Sequence, residues 1–254
     1  MRTIHQIGRQ LKQVYDLSLS FFYPEVCQLC HELTASPKEG FICQSCIEAN
    51  GGIRPIRPPF CDHCGLPFEG DISGTFECGN CHDLKLKFHS ARSAVRTGAT
   101  ILELIHRYKY QRHLWFEPLF TDLLATAFAT HFPATEIDLI VPIPLHKNKQ
   151  RDRGFNQSIR LSRRLSKTIG VPLATKALER TRPTETQTRL SRKKRIENVH
   201  NAFSSGKHAE LVKGKRILLI DDIMTTGATA SACAKALKAL KAEEVHVLTI
   251  SRGG

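Results

Sequence analysis

The chain of 254 residues predicts an α/β protein, a mainly parallel sheet flanked by helices and preceded by a small cysteine-rich module. Three observations carry this expectation. Four Cys-x2-Cys pairs crowd into residues 27–81, where helical and strand periodicity is weak. From about residue 90, short apolar strand patterns alternate with helical ones, as parallel strands joined by helical crossovers require. One apolar strand, Ile217 to Ile220, runs directly into two acids and a threonine-rich loop that opens a helix.

The elements follow in order. Residues 1–26 read as an amphipathic helix. Ile4, Ile7, Leu11, Val14 and Phe21 recur at helical spacing, with Arg9 and Lys12 off the stripe. Such a helix is expected to pack on the rest of the protein, because one weakly basic face is poor support for lipid docking. Residues 27–88 form the cysteine module, split by the extended connector Arg54-Pro55-Ile56-Arg57-Pro58-Pro59. Residues 89–254 form the α/β domain. Its expected elements are a strand at Ala91–Thr97, helices at Ile101–Tyr110 and Trp115–Phe132, and a strand at Asp138–Pro144 ended by prolines. A helix at Phe155–Ile169 stops at Gly170-Val171-Pro172. Residues 182–198 are polar and unpatterned. A strand at Lys215–Ile220, a helix at Gly227–Lys241 and a strand at Val245–Ile250 complete the domain.

Composition and charge narrow the class. Charged residues make up 24% and apolar ones 41%, which places the chain among ordinary globular proteins. Its apolar runs are far below the ~20 residues a membrane helix needs. Polar residues interrupt the stretch after Arg2, so no signal-peptide core forms. The expectation is a cytoplasmic protein without membrane insertion. The net charge of +13 is local: residues 146–195 hold 16 Lys and Arg against 3 Asp and Glu, while the rest balances at 21 of each sign. Such a block attracts phosphates, on nucleic acid or on a small ligand, unless it is simply a solvated face.

The cysteine pairs are Cys27/Cys30, Cys43/Cys46, Cys61/Cys64 and Cys78/Cys81, with 12, 14 and 13 residues between successive pairs. Zn²⁺ takes four thiolates tetrahedrally, and a two-residue gap lets one turn present two of them. Four pairs therefore match two structural Cys₄ sites. Disulfides would need an oxidising compartment, and thioredoxin-type chemistry would need a βαβ context. Cys27–His31 and Cys78–His82 also fit the c-type haem attachment pattern, but that reading leaves the two middle pairs unexplained. The connector between the second and third pairs favours sequential sites over an interleaved cross-brace.

The strongest chemical signal is Asp221-Asp222-Ile223-Met224-Thr225-Thr226-Gly227-Ala228-Thr229 after the apolar strand. N–H groups at a helix N-terminus and the helix dipole favour a phosphate there. Gly227 permits close approach or a positive φ. Two carboxylates at the strand end can accept from sugar hydroxyls or hold Mg²⁺. A plain helix cap by Thr225 or Thr226 would need no acid pair.

This segment resembles the PRPP-binding signature of type I phosphoribosyltransferases. Val141-Pro142-Ile143-Pro144, Arg153-Gly154-Phe155-Asn156-Gln157, and Arg180 through Gln187, Leu190, Arg195, Asn198 and Phe203 extend the likeness to the ComF (GntX-like) family. That resemblance implies a zinc ribbon joined to a type I phosphoribosyltransferase-like domain. It implies that Asp221 and Asp222, as the catalytic acids, bind the ribose hydroxyls of Mg²⁺-PRPP, and that Thr225, Thr226, Gly227, Ala228 and Thr229 hold its 5-phosphate. Arg153, Asn156, Gln157 and Arg182 would lie at the pyrophosphate and hood, and residues 182–198 would form a mobile loop over the site. Thr225 stands where 6-oxopurine salvage enzymes carry an acid, which disfavours that substrate class. The family is associated with natural competence, which implies single-stranded DNA and a competence-machinery protein docked on the zinc module as partners. Arg192, Lys193, Lys194 and Arg195 are the expected nucleic-acid contacts. Against base stacking, residues 146–195 contain one aromatic, Phe155. An active transferase on an unknown acceptor and a non-catalytic PRPP sensor stay open as alternatives. His146, His200 and His246 carry no readable role.

Overall fold

The computed structural model describes residues 25–36, 40–49, 51–70, 74, 76–132, 137–183, 199 and 201–253. The expected N-terminal helix, apart from Glu25 and Val26, lies outside the described residues, as do Arg192, Lys193, Lys194 and Arg195. Among the described residues no helix is long and apolar enough to cross a membrane.

Among the described residues the cysteine module holds two short helices, α1 (Gln44–Glu48) and α2 (Gly79–Leu84). The domain runs β1 (Ser90–Arg96), α3 (Ala99–Tyr110), α4 (Glu117–His131), β2 (Leu139–Pro142), α5 (Lys147–Arg153), α6 (Gln157–Ile169), β3 (Leu178–Arg180), β4 (Phe203–Ser205), β5 (Arg216–Met224), α7 (Ala228–Ala239) and β6 (Glu244–Arg252). Four strands form one parallel sheet in the order β1-β6-β5-β2. β3 and β4 pair separately and antiparallel, with Arg180 opposite Phe203.

Alternation along the two central strands builds two cores, because successive side chains face opposite sides of a sheet. Ile217 and Leu219 of β5, with Val245 and Val247 of β6, pack with Cys233, Ala234 and Leu237 of α7. Leu218, Ile220, Leu248 and Ile250 pack on the other face with Leu104 of α3, Phe120 of α4 and Leu161 of α6. Each fully buried Val, Leu, Ile or Phe among them contributes roughly 1.5–3 kcal/mol of transfer free energy.

The cysteine module straddles the β1 edge of the sheet. Its first half places Ile42 and Ile53 in the α3–α4 core, and its second half places Cys61, Cys64, Leu86 and Phe88 in the α7 core. Between them the proline-rich connector lies antiparallel on β1. Ile56 N–H donates to Ala94 O at 3.1 Å and Arg96 N–H to Arg54 O at 2.8 Å. An unpaired strand edge is thereby covered by a segment that sequence reading gives as a mere spacer.

The structure departs from the sequence reading at several places. β5 continues past Ile220 to Met224, so Asp221 and Asp222 lie within the strand. β6 likewise runs on to Arg252 through Thr249 and Ser251, which are polar yet buried. Ser93 and Thr249 share a hydroxyl bond at 2.6 Å there, which lets polar side chains occupy a buried strand. The expected helix at Trp115–Phe132 divides into a 3₁₀ turn, Leu114–Phe116, and α4, where Pro118 sits in the first turn. α5 has no apolar stripe, and its caps define it: His146 accepts from Asn148 N–H and Gly154 closes it at φ 84°.

Candidate functional site

Each cysteine quartet is a ready metal site. The Sγ atoms of Cys27, Cys30, Cys43 and Cys46 lie within 4.8 Å of one another, as do those of Cys61, Cys64, Cys78 and Cys81. Separations of 3.5 Å (Cys64–Cys78), 3.7 Å (Cys61–Cys81) and 3.8 Å (Cys27–Cys46) approach the ~3.8 Å edge of a tetrahedron with Zn–S near ~2.3 Å. Backbone N–H groups aim at the sulfurs, Cys43 N–H at Cys27 Sγ (3.3 Å) and Cys78 N–H at Cys61 Sγ (3.3 Å), which suits thiolates. The donor sets are sequential and fit zinc with no open coordination position.

The second quartet adjoins the loop after β5. Arg252, 3% exposed, donates from Nη2 to Cys64 Sγ at 3.3 Å and from Nε to Cys64 O at 3.1 Å. Its Nη1 donates to Met224 O at 3.3 Å and also reaches the carbonyls of Thr225 and Gly253. Asn80 Nδ2, in the helix of the second cysteine knuckle, donates to Thr226 O at 3.2 Å. A trans peptide sets each carbonyl opposite the next N–H. Anchoring the carbonyls of Met224, Thr225 and Thr226 on the module side therefore turns the N–H groups of Thr225, Thr226 and Gly227 away from the module. Gly227 has φ 79°, and a Cβ there would meet Leu86 Cδ1 and Phe88 Cε1 at 3.4 Å. α7 begins at the next residue, and the Thr226 hydroxyl accepts from Ala228 N–H at 3.3 Å. The result is an open cleft lined by Ile143, Asp221 and Thr225 through Thr229.

Asp221 lines that cleft, and Asp222, the next residue of the strand, is buried behind it. Successive strand residues face opposite ways, so the two carboxylates have different surroundings. Asp221 Oδ1 accepts from Ser158 Oγ at 2.9 Å and from Asp222 N–H at 3.0 Å. Asp222, 3% exposed, forms an ion pair with Lys109 of α3 and accepts from Gln157 Nε2 at 3.5 Å. Burial, then the charge of Asp222, pushes the Asp221 carboxyl up to about 7. Burial acts in the same sense on Asp222, but the Lys109 ammonium outweighs it and holds that carboxyl below its ordinary range. The pair thus carries unequal charge at neutral pH, with Asp222 the firm anion.

The Arg153–Gln157 element supports the acid pair. Asn156 caps α6, its Oδ1 accepting from Ser158 N–H (2.8 Å) and Ile159 N–H (3.3 Å), while its Nδ2 donates to Ile143 O (3.1 Å). Its amide is thus spent inside the fold, tying α6 to the segment after β2. Gln157 joins the acid pair to Arg153, whose Nη1 donates to Gln157 Oε1 at 2.5 Å. Arg182 is exposed beyond the end of β3. Lys109, Ser158, Asn80 and Arg252 escape sequence reading: each lies remote in sequence from the loop it serves, and the one that falls in a motif, Asn80, is a variable position between two cysteines.

Comparison with known proteins agrees with this architecture. A double zinc ribbon domain matches residues 18–82, and a phosphoribosyl transferase domain matches residues 152–254. Competence protein F of Haemophilus influenzae is 31% identical over 197 residues, 76% of this chain and 85% of the relative. DNA utilization protein YhgH of Escherichia coli is 30% identical over 233 residues, 90% of this chain and 97% of the relative. Competence protein ComFC of Bacillus subtilis is 26% identical over 218 residues, 83% and 84% of the two chains. The chain belongs to the ComF (GntX-like) family, a double zinc ribbon joined to a type I phosphoribosyltransferase-like domain.

Proposed function

We propose that this protein binds Mg²⁺-PRPP on the Asp221–Thr229 loop and takes part in handling incoming single-stranded DNA in the cytoplasm. The observation that carries the first half is the loop itself: an acid pair on a parallel strand, a left-handed glycine and a helix N-terminus, with the loop carbonyls anchored on the opposite side. The N–H groups of the loop and the Thr225, Thr226 and Thr229 hydroxyls hold the 5-phosphate. Asp222 and Asp221 accept from the ribose 2- and 3-hydroxyls. Arg153 and Arg182 face the pyrophosphate end, where cations neutralise a polyanion. Mg²⁺ would supply further neutralisation of the pyrophosphate. The second half is supported by the relatives, which carry the names of competence and DNA utilization proteins.

Structural zinc in both quartets holds the module, and a competence-machinery protein is its proposed partner. Ligand binding that favours the folded state raises the melting temperature. The wild type should therefore melt several degrees higher with saturating Mg²⁺-PRPP, and the Asp221→Asn/Asp222→Asn variant should show no shift. An equal shift in both proteins would remove the acid pair from the site.

A further inference from the structure

The basic block of residues 146–195 is poor in aromatics, yet the fold brings aromatics to it from α3 and the turn that follows. Tyr110 is 59% exposed and Trp115 39% exposed. The Arg153 guanidinium lies over the Tyr110 ring at 5.1 Å, and His113 stacks on Trp115 with centroids 4.3 Å apart. Between α3 and α5 a cavity of about 270 Å³ is lined by Lys109, Tyr110, Arg112, Lys149, Asp152 and Arg153. Four cations thus face one acid. Lys109 is engaged by Asp222, but among the described residues Arg112, Lys149 and Arg153 have no carboxylate within ion-pair distance. Arg112 is held in place through its Nε, which donates to Arg153 O at 3.2 Å. Burial first, and then the positive charges of Arg180, Arg153 and Lys109, pulls the Lys149 ammonium below its ordinary value.

An anion satisfies such a cluster, and an exposed ring beside it selects which anion. Duplex DNA presents phosphates but keeps its bases stacked inside. A single strand presents phosphates and free base faces together, and sequence-tolerant binders pair a basic groove with aromatic platforms. We propose that the α3–α5 cavity is where single-stranded DNA docks, with backbone phosphate between Arg112 and Lys149 and a base stacked on Tyr110. The proposal rests on the DNA-handling reading above and places the contact on this surface rather than on the Arg192–Arg195 run. It also sets the strand beside Lys109, and so beside the acid pair.

The test uses the zinc-replete full chain and a labelled oligo-dT followed by fluorescence anisotropy across a salt series. Tyr110→Ala should weaken binding about tenfold, the size of one lost stacking contact, with the salt slope unchanged. Arg112→Ala with Lys149→Ala should weaken it and flatten the slope of log K against log salt by about 1.4, near ~0.7 for each phosphate released. Both variants should keep the wild-type response to Mg²⁺-PRPP. Affinity unchanged in both variants, or lost only when residues 192–195 are all changed to Ala, would overturn the assignment. So would a parallel loss of Mg²⁺-PRPP binding, which would give the cavity to that ligand, or equal sensitivity of a duplex to Tyr110→Ala. No oligonucleotide binding by the wild type would overturn the DNA-handling reading and this proposal together.

Discussion

The guanidinium of Arg252 lies 3.3 Å from the sulfur of Cys64 and reaches the carbonyl of Met224 at the same distance, so one side chain joins the second cysteine quartet to the loop after β5. A Zn(Cys)₄ centre carries a net charge of about −2, and a buried guanidinium beside it is a natural counter-charge. The same cation holds loop carbonyls back and thereby presents N–H groups forward. Arg252→Gln should therefore weaken Mg²⁺-PRPP binding at least ~10-fold, the loss of charge-assisted bonds worth about 1.5–3 kcal/mol. Amide exchange at residues 225–230 should quicken in parallel. Cys30→Ser, in the quartet that packs toward α3 and α4, should leave that affinity within about twofold. Equal effects of the two variants would contradict the strut.

Chelation should separate the two quartets in the same way. Cys61, Cys64, Cys78 and Cys81 are buried in the core that also holds Phe88 and α7, whereas Cys30 and Cys46 are half-buried in a small cluster of their own. A chelator should release two zinc ions per chain, the first from Cys27/Cys30/Cys43/Cys46. Loosening of the phosphate loop should accompany the second release, read by metal-indicator absorbance beside amide exchange. A single ion per chain would contradict the assignment of both sites.

The pH response of the ligand site follows from its unequal acids. Asp221, raised by burial and by Asp222, takes up a proton as pH falls through about 7, whereas Asp222 stays ionised beside Lys109. A protonated carboxyl is a poorer acceptor for a sugar hydroxyl and a poorer partner for a divalent cation. Affinity for Mg²⁺-PRPP should therefore rise with pH through neutrality. Asp221→Asn should remove that component and leave only the titration of the ligand's own phosphates. Identical profiles for the wild type and Asp221→Asn would contradict it.

Stability away from the site should depend on Glu117. Its carboxylate accepts from the buried Tyr108 hydroxyl at 2.9 Å and from Arg160 Nη2 at 3.1 Å, with a second, shorter contact from Arg160 Nε. Three helices, α3, α4 and α6, meet on that one acid. Glu117→Ala leaves the Tyr108 hydroxyl without its acceptor and should cost about 1–3 kcal/mol in urea unfolding. Glu117→Gln retains an acceptor and should cost less. Equal losses would show that charge rather than hydrogen bonding holds the junction.

Elements built from contiguous residues are legible in the sequence. Ile217 to Thr229 reads as strand, acids, loop and helix because each step has its own residue chemistry, and the fold class follows from that pattern and its neighbours. The ends of β5 and β6 escape sequence reading because Asp221, Asp222, Thr249 and Ser251 are polar, and periodicity treats polar residues as exposed. Partner hydroxyls and Lys109, which permit their burial, come from other elements. α5 leaves no sequence signal because Lys147–Arg153 has no apolar face and owes its definition to its two ends. The link from Cys64 through Arg252 to Met224 joins positions 64 and 252, a separation across which one sequence carries no pairing signal.

The most direct test is calorimetric titration of zinc-replete wild-type protein with Mg²⁺-PRPP, beside the Asp221→Asn/Asp222→Asn variant. Saturable binding near one ligand per chain in the wild type, lost in the variant, is the predicted result. Absence of binding in the wild type would contradict the PRPP-binding claim and leave the fold as a scaffold for other ligands.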